Sequence, residues 1–254
     1  MVGWQYMVYA MPKFFVSPDC IRNNNVLISG DNAHHLIYAL RTKIKDKVII
    51  CDGANNDFYC LIEKININES SLIASIYDKA LCNTEPPIKI MLYQSLPKNN
   101  KFEFTVQKCV ELGIYAITPI ITKYTNVKKN DMQIKEKRYN KIAESAAGQS
   151  MRGIIPAIHP VMQFNDALEL MATIDGYRLF ADERESKQSI GSIFNGAKRR
   201  DVSIWVGPEG GFSEEEKHKL QLLGVLPFTL GPRILRTETA GMAALIHVLN
   251  IWEV

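Results

Sequence analysis

The sequence of 254 residues is poor in cysteine and contains no long hydrophobic run. Its five cysteines are odd in number and form no Cys-x-x-Cys pair, which argues against a disulfide framework and against a zinc finger. No apolar stretch reaches the roughly 18 residues that a membrane span needs, and the first ten residues lack the pattern of a secretory signal. We therefore expect a soluble cytoplasmic protein of a reducing compartment, without a membrane partner.

Several motifs of common enzyme classes are also missing. A dinucleotide fingerprint, Gly-x-Gly-x-x-Gly, would follow the first strand of an α/β domain. The first predicted strand after residue 88 is followed by Ser-Leu-Pro-Lys-Asn-Asn-Lys, so this fingerprint is not present. No phosphate-binding P-loop and no Gly-x-Ser-x-Gly elbow occur. The five histidines show no metal-ligand spacing, so we expect no metal.

Charge is nearly balanced, with 30 basic and 27 acidic residues and a net charge of +3. Residues 1–85 carry 8 basic and 9 acidic side chains, so this part has a net charge of −1. The remainder carries a net charge of +4. An excess this small permits nucleic-acid binding without arguing for it.

Two patterns divide the chain. Between residues 14 and 82 short apolar runs alternate with polar, glycine and asparagine punctuation, which predicts a small all-β domain at 11–82. Within it, residues 33–41 have helical spacing, with Asp31 or Asn32 as the expected N-cap. Two prolines mark 83–88 as a linker.

Residues 89–254 alternate buried strands with helical segments, which predicts a largely parallel sheet with helices on both faces. The last helix is predicted from about Thr237 to Trp252. Gly113 is the expected C-terminal stop of an earlier helix. Sheets of this kind bind their ligands at the carboxyl ends of the strands.

Chemistry is expected at three strand ends. The first is the turn 205–212, whose glycines at 207, 210 and 211 suit positive φ and a close approach to a ligand. Ser213 and Glu216 form a capping box directly after it. Taken alone, this turn is about as well explained by a tight connection without a ligand.

The second strand end is residues 230–240, where Arg236 directly precedes a helix start. A guanidinium at the positive end of a helix dipole is unfavourable without an anion, which indicates a phosphate, a carboxylate or developing negative charge. The alternative is a surface arginine paired with Glu238 or Glu209. The third strand end, 179–183, finishes in acids and is a weak signal by itself.

Trp-Val-Gly-Pro-Glu-Gly-Gly-Phe-Ser-Glu-Glu-Glu followed by Leu-Gly-Pro-Arg-Ile-Leu-Arg-Thr-Glu-Thr-Ala resembles the RsmE family, in that order and near the C-terminus. Members of this SPOUT-superfamily group methylate N3 of a uridine in 16S ribosomal RNA. The resemblance extends over nearly the whole chain, including Ala-His-His-Leu-Ile-Tyr-Ala-Leu-Arg and Leu-Pro-Lys-Asn-Asn-Lys-Phe-Glu-Phe-Thr-Val-Gln-Lys-Cys-Val-Glu-Leu-Gly. Met11-Pro-Lys-Phe-Phe matches the family's opening, which makes residues 1–10 an extension or a misassigned start.

The resemblance implies the architecture. Residues 89–254 should form a SPOUT α/β domain with a C-terminal trefoil knot, preceded by a PUA-like RNA-binding β-barrel. The protein should act as a homodimer on the small ribosomal subunit, with S-adenosyl-L-methionine as its cofactor. The last helix is apolar on most of its circumference, and we place Ala243, Ile246, His247 and Asn250 near a subunit interface.

The resemblance also implies site residues. Arg236 is the first candidate for stabilising the uracil anion, with Glu209 and Glu238 as proton acceptors or, by preference, as groups that orient Arg236. The residues expected to contact the cofactor are Leu179, Phe180, Ala181, Val206, Gly207, Pro208, Glu209, Gly210, Gly211, Leu230, Gly231, Ile234, Leu235, Arg236, Thr237, Thr239 and Ala240. The residues expected to contact RNA are Lys13, Arg41, Lys98, Lys101 and Arg152.

Two alternatives stay open from the sequence. The chain could be a SPOUT methyltransferase that acts on another RNA or on a ribose 2′-hydroxyl. It could also be a non-catalytic RNA-binding protein that keeps the fold, although the intact glycine turns argue against this.

Overall fold

The computed structural model describes residues 11–98, 101–125 and 132–253, with the side chains of 132–134 left aside. The expectation about residues 1–10 lies outside this part of the chain. Contacts divide the chain into two compact units, the first formed by residues up to Glu85 together with Ala147–Ile155 and the second by the rest. Within the described ranges, no helix has both the length and the apolar character required to cross a lipid bilayer.

The first unit contains a six-stranded sheet in the order β1-β4-β5-β6-β3-β2. The first pair, β1 with β4, is parallel and the other pairs are antiparallel. Its strands are β1 Lys13–Phe15, β2 Ile21–Arg22, β3 Asn25–Ile28, β4 Lys47–Cys51, β5 Asn56–Asn66 and β6 Ser71–Leu81. The small all-β domain expected from the short apolar runs thus takes the form of this six-stranded sheet.

Alternation along the strands makes the core of this unit. In β3, Val26 and Ile28 are fully buried while Leu27 is exposed. Val26 and Ile28 pack in one cluster with buried side chains from β4, β5 and β6. Each strand therefore contributes every second residue to one interior, as a period of two requires.

The helical segment of this unit begins earlier than predicted. Helix α1 runs from Gly30 to His34 with Ser29 at its N-cap, and a π-helical turn follows at His35–Ala39. The predicted cap at Asp31 or Asn32 is wrong. The Asn32 side-chain amide instead donates a hydrogen bond to the carbonyl of Phe15 at 2.7 Å, a tertiary contact that draws the side chain away from capping.

The second unit is built on a seven-stranded sheet in which every pair is parallel, in the order β10-β8-β7-β12-β11-β13 with β9 beside β8. Its strands are β7 Ile90–Ser95, β8 Ala116–Ile121, β9 Ala157–Ile158, β10 Met162–Gln163, β11 Tyr177–Ala181, β12 Val202–Val206 and β13 Leu226–Phe228. The remaining helices are α2 Lys101–Glu111, α3 Met132–Gln149, α4 Phe164–Ala172, α5 Ile190–Ile193, α6 Glu214–Leu222 and α7 Thr237–Trp252. The predicted parallel sheet and the predicted bounds of the last helix are confirmed.

Helices cover both faces of this sheet. On one face Trp205 stacks on Tyr93 with ring centroids 4.4 Å apart, and its indole N–H points at the sulfur of Met171 on α4. On the other face α7 packs against β7 and β12. Because both faces are covered, β12 is buried along its whole length, which explains why four of its five residues are apolar.

Strand order determines where the loops meet. Because β12, β11 and β13 are neighbours and parallel, their carboxyl ends lie side by side at one edge of the sheet. The loop after β12 runs into α6 through the predicted capping box, in which Ser213 and Glu216 each bond the other's backbone N–H. The loop after β13 runs into α7, so the loops after β12 and β13 both lead into helix N-termini.

Candidate active site

One cavity of about 790 Å³ lies where these three loops meet. Its walls are the residues just after β11, the turn after β12, and the loop from β13 into α7. Most of the residues predicted to contact a cofactor line this cavity. They are Ala181, Val206, Gly207, Pro208, Glu209, Gly210, Gly211, Leu230, Gly231, Ile234, Leu235, Arg236, Thr237 and Ala240.

Three predicted residues do not reach the cavity. Leu179 and Phe180 are fully buried inside β11, because they precede the strand end rather than follow it. Thr239 is exposed on the first turn of α7 and is not part of the wall. The cofactor predictions for these three residues are therefore corrected.

Several wall residues were not predicted as cofactor contacts. Asp182 and Glu183 belong to the strand end 179–183, at which a ligand was expected, but they were not named as individual contacts, and Lys101 was named as an RNA contact. Strand adjacency was the signal that could have placed the acids here, because β11 lies beside β12 in the sheet. The wall residues outside the predicted cofactor set are Lys101, Asp182, Glu183, Glu185, Ser186, Phe228, Thr229, Pro232 and Arg233.

The turn after β12 needs glycine for two different reasons. Gly211 has a φ of +68°, and a Cβ there would lie 3.2 Å from Oε1 of Glu183. A Cβ on Gly207 would lie 3.0 Å from the backbone carbon of Gly211. Gly210 has neither restriction, since its Cβ would make an ordinary contact with Tyr124. Positive φ, expected at all three glycines, occurs only at Gly211.

Thr237 connects this turn to the sheet. Its hydroxyl donates to the carbonyl of Gly207 at 2.5 Å and accepts a hydrogen bond from the side-chain amide of Gln94 at 2.8 Å. Gln94 lies on β7 and is fully buried. The start of α7 and the turn after β12 are thus held against one strand.

The two predicted carboxylates have separate partners. Oε1 of Glu209 accepts the backbone N–H of Lys98 at 3.1 Å. Oε1 of Glu238 lies 3.1 Å from the ammonium of Lys101, while its Oε2 is buried without a hydrogen-bond partner among the described residues. Burial alone would raise the pKa of Glu238, but its own backbone N–H, Lys101 and the charge of Arg236 outweigh burial and lower the pKa.

Arg236 occupies the N-cap position of α7 with extended backbone and lies exposed on the cavity wall. It makes no ion pair within the described residues, because Glu238 pairs with Lys101 and Glu209 bonds the backbone of Lys98. The alternative of a surface arginine paired with either carboxylate is therefore wrong for this structure. An exposed guanidinium beside a helix N-terminus has unused capacity for an anion.

Two of the predicted RNA contacts are buried in the first unit. The Lys13 ammonium is fully buried 2.6 Å from Oδ1 of Asp57. Arg152 is 2% exposed, and its guanidinium bonds both carboxylate oxygens of Glu85. Both side chains already have acidic partners and are closed to a surface ligand, so these two predictions are corrected.

The other RNA candidates remain accessible. Arg41 is exposed with a φ of +52° and directly follows the π-helical turn and Leu40. Lys98 is exposed, and Lys101 is partly exposed on the wall of the cavity. Within the described ranges, no cluster of three or more His, Cys, Asp and Glu side chains could hold a metal ion.

Two family models match the chain. An RNA methyltransferase domain matches residues 84–249, and an RNA methyltransferase PUA domain matches residues 28–75. The larger match contains the whole cavity, from Lys101 to Ala240. The smaller match lies within the first unit.

Related proteins match most of the length of the chain. Ribosomal RNA small subunit methyltransferase E of Buchnera aphidicola is 34% identical over 92% of this chain and 91% of its own length. The protein of the same name from Bacillus subtilis is also 34% identical, over 86% of this chain and 87% of its own length. A crystal structure of ribosomal RNA small subunit methyltransferase E from Neisseria gonorrhoeae, bound to S-adenosyl methionine, has 28% identity and a TM-score of 0.85 over 95% of this chain and 98% of its own.

Proposed function

The chain belongs to the family of ribosomal RNA small subunit methyltransferase E, and we propose that it transfers a methyl group from S-adenosylmethionine to N3 of a uridine in 16S ribosomal RNA. The observation that carries the proposal is the cavity at the ends of β11, β12 and β13. It joins a glycine turn to an arginine that has no ion pair within the described residues.

The cavity fits the cofactor in size and in chemistry. A volume of about 790 Å³ lies within the range of small-molecule sites. A Cβ on Gly211 would crowd the Glu183 carboxylate and one on Gly207 would crowd the backbone of Gly211, so the turn keeps its form only with glycine. Without side chains at these positions, the backbone of the turn is open to close approach by a ligand. The cofactor supplies an electrophilic methyl group, and the walls hold it with backbone groups and apolar side chains.

Arg236 supports the chemistry on the nucleophile. Neutral uracil is a poor nucleophile because its N3 proton is only weakly acidic. A guanidinium beside O2 or O4 of the base stabilises the negative charge that develops when N3 loses this proton to solvent water. Because Arg236 makes no ion pair within the described residues, its charge is available for this purpose.

Glu238 and Glu209 take supporting roles in this proposal. The lowered pKa of Glu238 keeps it ionised at neutral pH, and the charge of Arg236 contributes to that shift. Because Glu238 is paired with Lys101, its carboxylate acts on Arg236 as a nearby negative charge and does not hold the guanidinium through an ion pair. Glu209 is bonded to the backbone of Lys98, which favours a role in shaping the turn over proton transfer.

We further propose the finer architecture that the resemblance implies. Residues 89–254 would form the trefoil-knotted SPOUT domain, and 11–82 a PUA-like barrel joined to it by 83–88. The match of an RNA methyltransferase PUA domain to residues 28–75 supports the second assignment. Tracing the chain in a crystal structure would test the knot.

RNA contact would involve exposed cations of both units. Arg41 and Lys98 are exposed, and Tyr38 offers a 50%-exposed ring on which a base can stack. The first unit has too little net charge to hold RNA by electrostatics alone, so recognition also requires the shape of a folded RNA. The small ribosomal subunit supplies such a shape and is the target in this proposal.

A homodimer is the proposed assembly. On α7 the buried face includes Ala244 and Val248, while His247 and Asn250 are exposed and Ile246 is partly exposed. The face that carries His247 and Asn250 is therefore unused by its own unit. Light scattering of the purified protein tests this assembly.

The proposed reaction is tested by nucleoside mass spectrometry of 16S ribosomal RNA. RNA from cells that lack the gene should have lost one N3-methyluridine, and the purified protein with S-adenosylmethionine should restore it on isolated small subunits. A methylated ribose or a modified transfer RNA would favour the alternative substrates instead.

A further inference from the structure

A chain of buried hydrogen bonds connects the middle of the sheet to the turn 207–211 after β12, which we call the cofactor turn. The side-chain N–H of Gln94 donates to the hydroxyl of Thr237, and that hydroxyl donates to the carbonyl of Gly207. The same amide also donates to the backbone carbonyl of Ser95 at 3.2 Å. Gln94 is fully buried and Thr237 is 5% exposed, so solvent does not compete for these bonds.

Each bond in this chain has a fixed direction. A carbonyl only accepts, so the single proton of the Thr237 hydroxyl points to Gly207. The hydroxyl oxygen then accepts, and the Gln94 amide must present its N–H rather than its oxygen. The arrangement sets the positions of β7, the turn and the start of α7 at the same time.

Close packing at Gly241 supports the same contact. A Cβ on Gly241 would lie 2.8 Å from Oε1 of Gln94 and 3.2 Å from Cδ2 of Leu92. Thr237 and Gly241 are four residues apart and share one face of α7. The helix backbone therefore comes close enough to β7 for Thr237 to reach both Gln94 and Gly207.

Stability alone does not explain an amide at position 94. Its Oε1 is buried without a hydrogen-bond partner among the described residues, and an unpaired buried polar atom is destabilising. A leucine or methionine of similar size would avoid that cost at a position whose partners on the neighbouring strands are Val206 and Pro119. The amide is therefore better explained by the position it imposes on Thr237.

We infer that Gln94 and Thr237 are positioning residues for the cofactor turn. Their hydrogen bonds hold the Gly207 carbonyl against the start of α7 and so fix the point from which the turn continues along the cavity wall. They also fix the first residue of α7 beside Arg236. The identity of the ligand rests on the proposed function, whereas the positioning role concerns the ligand-free protein as well.

The test uses Thr237→Val, Thr237→Ser and Gln94→Leu in the full chain, with Thr118→Val as the matched control. Thr118 is another buried threonine of the same unit, 2% exposed, and its hydroxyl bonds His159 at 2.9 Å, away from the cavity wall. Two quantities are measured: amide hydrogen exchange in the free protein, and S-adenosylmethionine affinity by calorimetry.

We expect the Gly211 amide, which donates to Pro208, to exchange faster in Thr237→Val and Gln94→Leu and to keep its rate in Thr118→Val. Cofactor affinity should fall about tenfold in both positioning variants, and Thr237→Ser should restore most of it. The double variant should bind about as weakly as one single variant, because both changes break the same chain.

Unchanged exchange and unchanged affinity in a folded Thr237→Val protein would overturn the inference, as would fully additive losses in the double variant. If instead the unaltered protein binds no S-adenosylmethionine, the proposed function fails. The exchange measurement then still decides whether Gln94 and Thr237 position the turn.

Discussion

The ammonium of Lys101, at the first residue of α2, lies 3.1 Å from a carboxylate oxygen of Glu238 in the first turn of α7. This pair joins two helices that pack against each other on one face of the parallel sheet. It also engages Glu238, so that Arg236 is left without an acidic partner within the described residues. Lys101 thus adds its own positive charge to the cavity wall and also holds the carboxylate of Glu238.

Replacing Lys101 with methionine should raise the pKa of Glu238, since burial opposes ionisation and Lys101 is a main group that lowers the pKa. The ionised Glu238 contributes stability at neutral pH that is lost as the pH falls through its lowered pKa. In Lys101→Met this loss should begin at a higher pH. An NMR titration of the Glu238 carboxyl group, with thermal unfolding across the acid range, measures both effects.

Lys108→Met is the control for this prediction. Lys108 pairs with Glu111 on the same helix and is about as exposed as Lys101, at 35% against 33% of its side chain. An equal shift of the Glu238 pKa in both variants would mean that Lys101 acts only as a distant charge.

Replacing Gly211 with alanine should abolish most cofactor binding while the protein stays folded. Its φ of +68° is unfavourable for an L-residue, and the new Cβ would crowd the Glu183 carboxylate at 3.2 Å. The matched variant is Gly224→Ala, at a φ of +72° with open space around the new Cβ. Both changes should cost about 1 kcal/mol of stability from the backbone alone.

Calorimetry with S-adenosylmethionine separates the two glycines. We expect weak or absent binding for Gly211→Ala and normal binding for Gly224→Ala. Equal affinities in the two folded variants would refute the assignment of the cavity as the cofactor site.

Sequence patterns predicted the features that depend on neighbours along the chain. The bounds of α7 and the capping box of Ser213 with Glu216 follow from local signals, and both are confirmed. The parallel sheet follows from the alternation of strands and helices, and its edge gathers the three predicted loops.

Features that depend on distant partners were not predictable in this way. Lys13 looked like a surface cation because lysine is usually exposed, and its partner Asp57 lies 44 residues away. Arg152 likewise pairs with Glu85, 67 residues away. No local sequence pattern indicates an ion pair between such distant residues. Both residues were therefore assigned to RNA, although each is buried against a carboxylate.

Arg41→Gly should weaken RNA binding without weakening the fold. Arg41 has a φ of +52°, and glycine relieves the left-handed strain by about 1 kcal/mol. A lost phosphate contact should reduce the salt dependence of small-subunit binding by about one unit of slope. Filter binding at several salt concentrations, together with thermal unfolding, gives both numbers.

Lys13→Met is the opposite case and serves as the comparison. It leaves Asp57 buried and unpaired, which should lower stability by about 3 kcal/mol without changing the salt slope of the folded protein. An unchanged slope for Arg41→Gly, or a reduced slope for folded Lys13→Met, would reverse these assignments.

Arg236→Ala should lower kcat far more than it lowers cofactor affinity. The proposed task of this guanidinium appears only as charge develops on the uracil oxygens, so its loss affects the transition state. Removing one such donor typically costs about 100- to 1000-fold in rate. Methyl transfer to isolated small subunits, measured at saturating cofactor, gives kcat, and calorimetry gives the affinity.

Raising the pH should partly rescue Arg236→Ala, because hydroxide then supplies the uracil anion that the guanidinium no longer stabilises. Arg233 is the internal control, since it is also exposed on the cavity wall but precedes the apolar pair Ile234 and Leu235 rather than the helix start. We expect a smaller loss of kcat in Arg233→Ala and no rescue at high pH. If Arg236→Ala keeps normal turnover while Arg233→Ala loses it, Arg233 is the residue that stabilises the uracil anion, and Arg236 has another role.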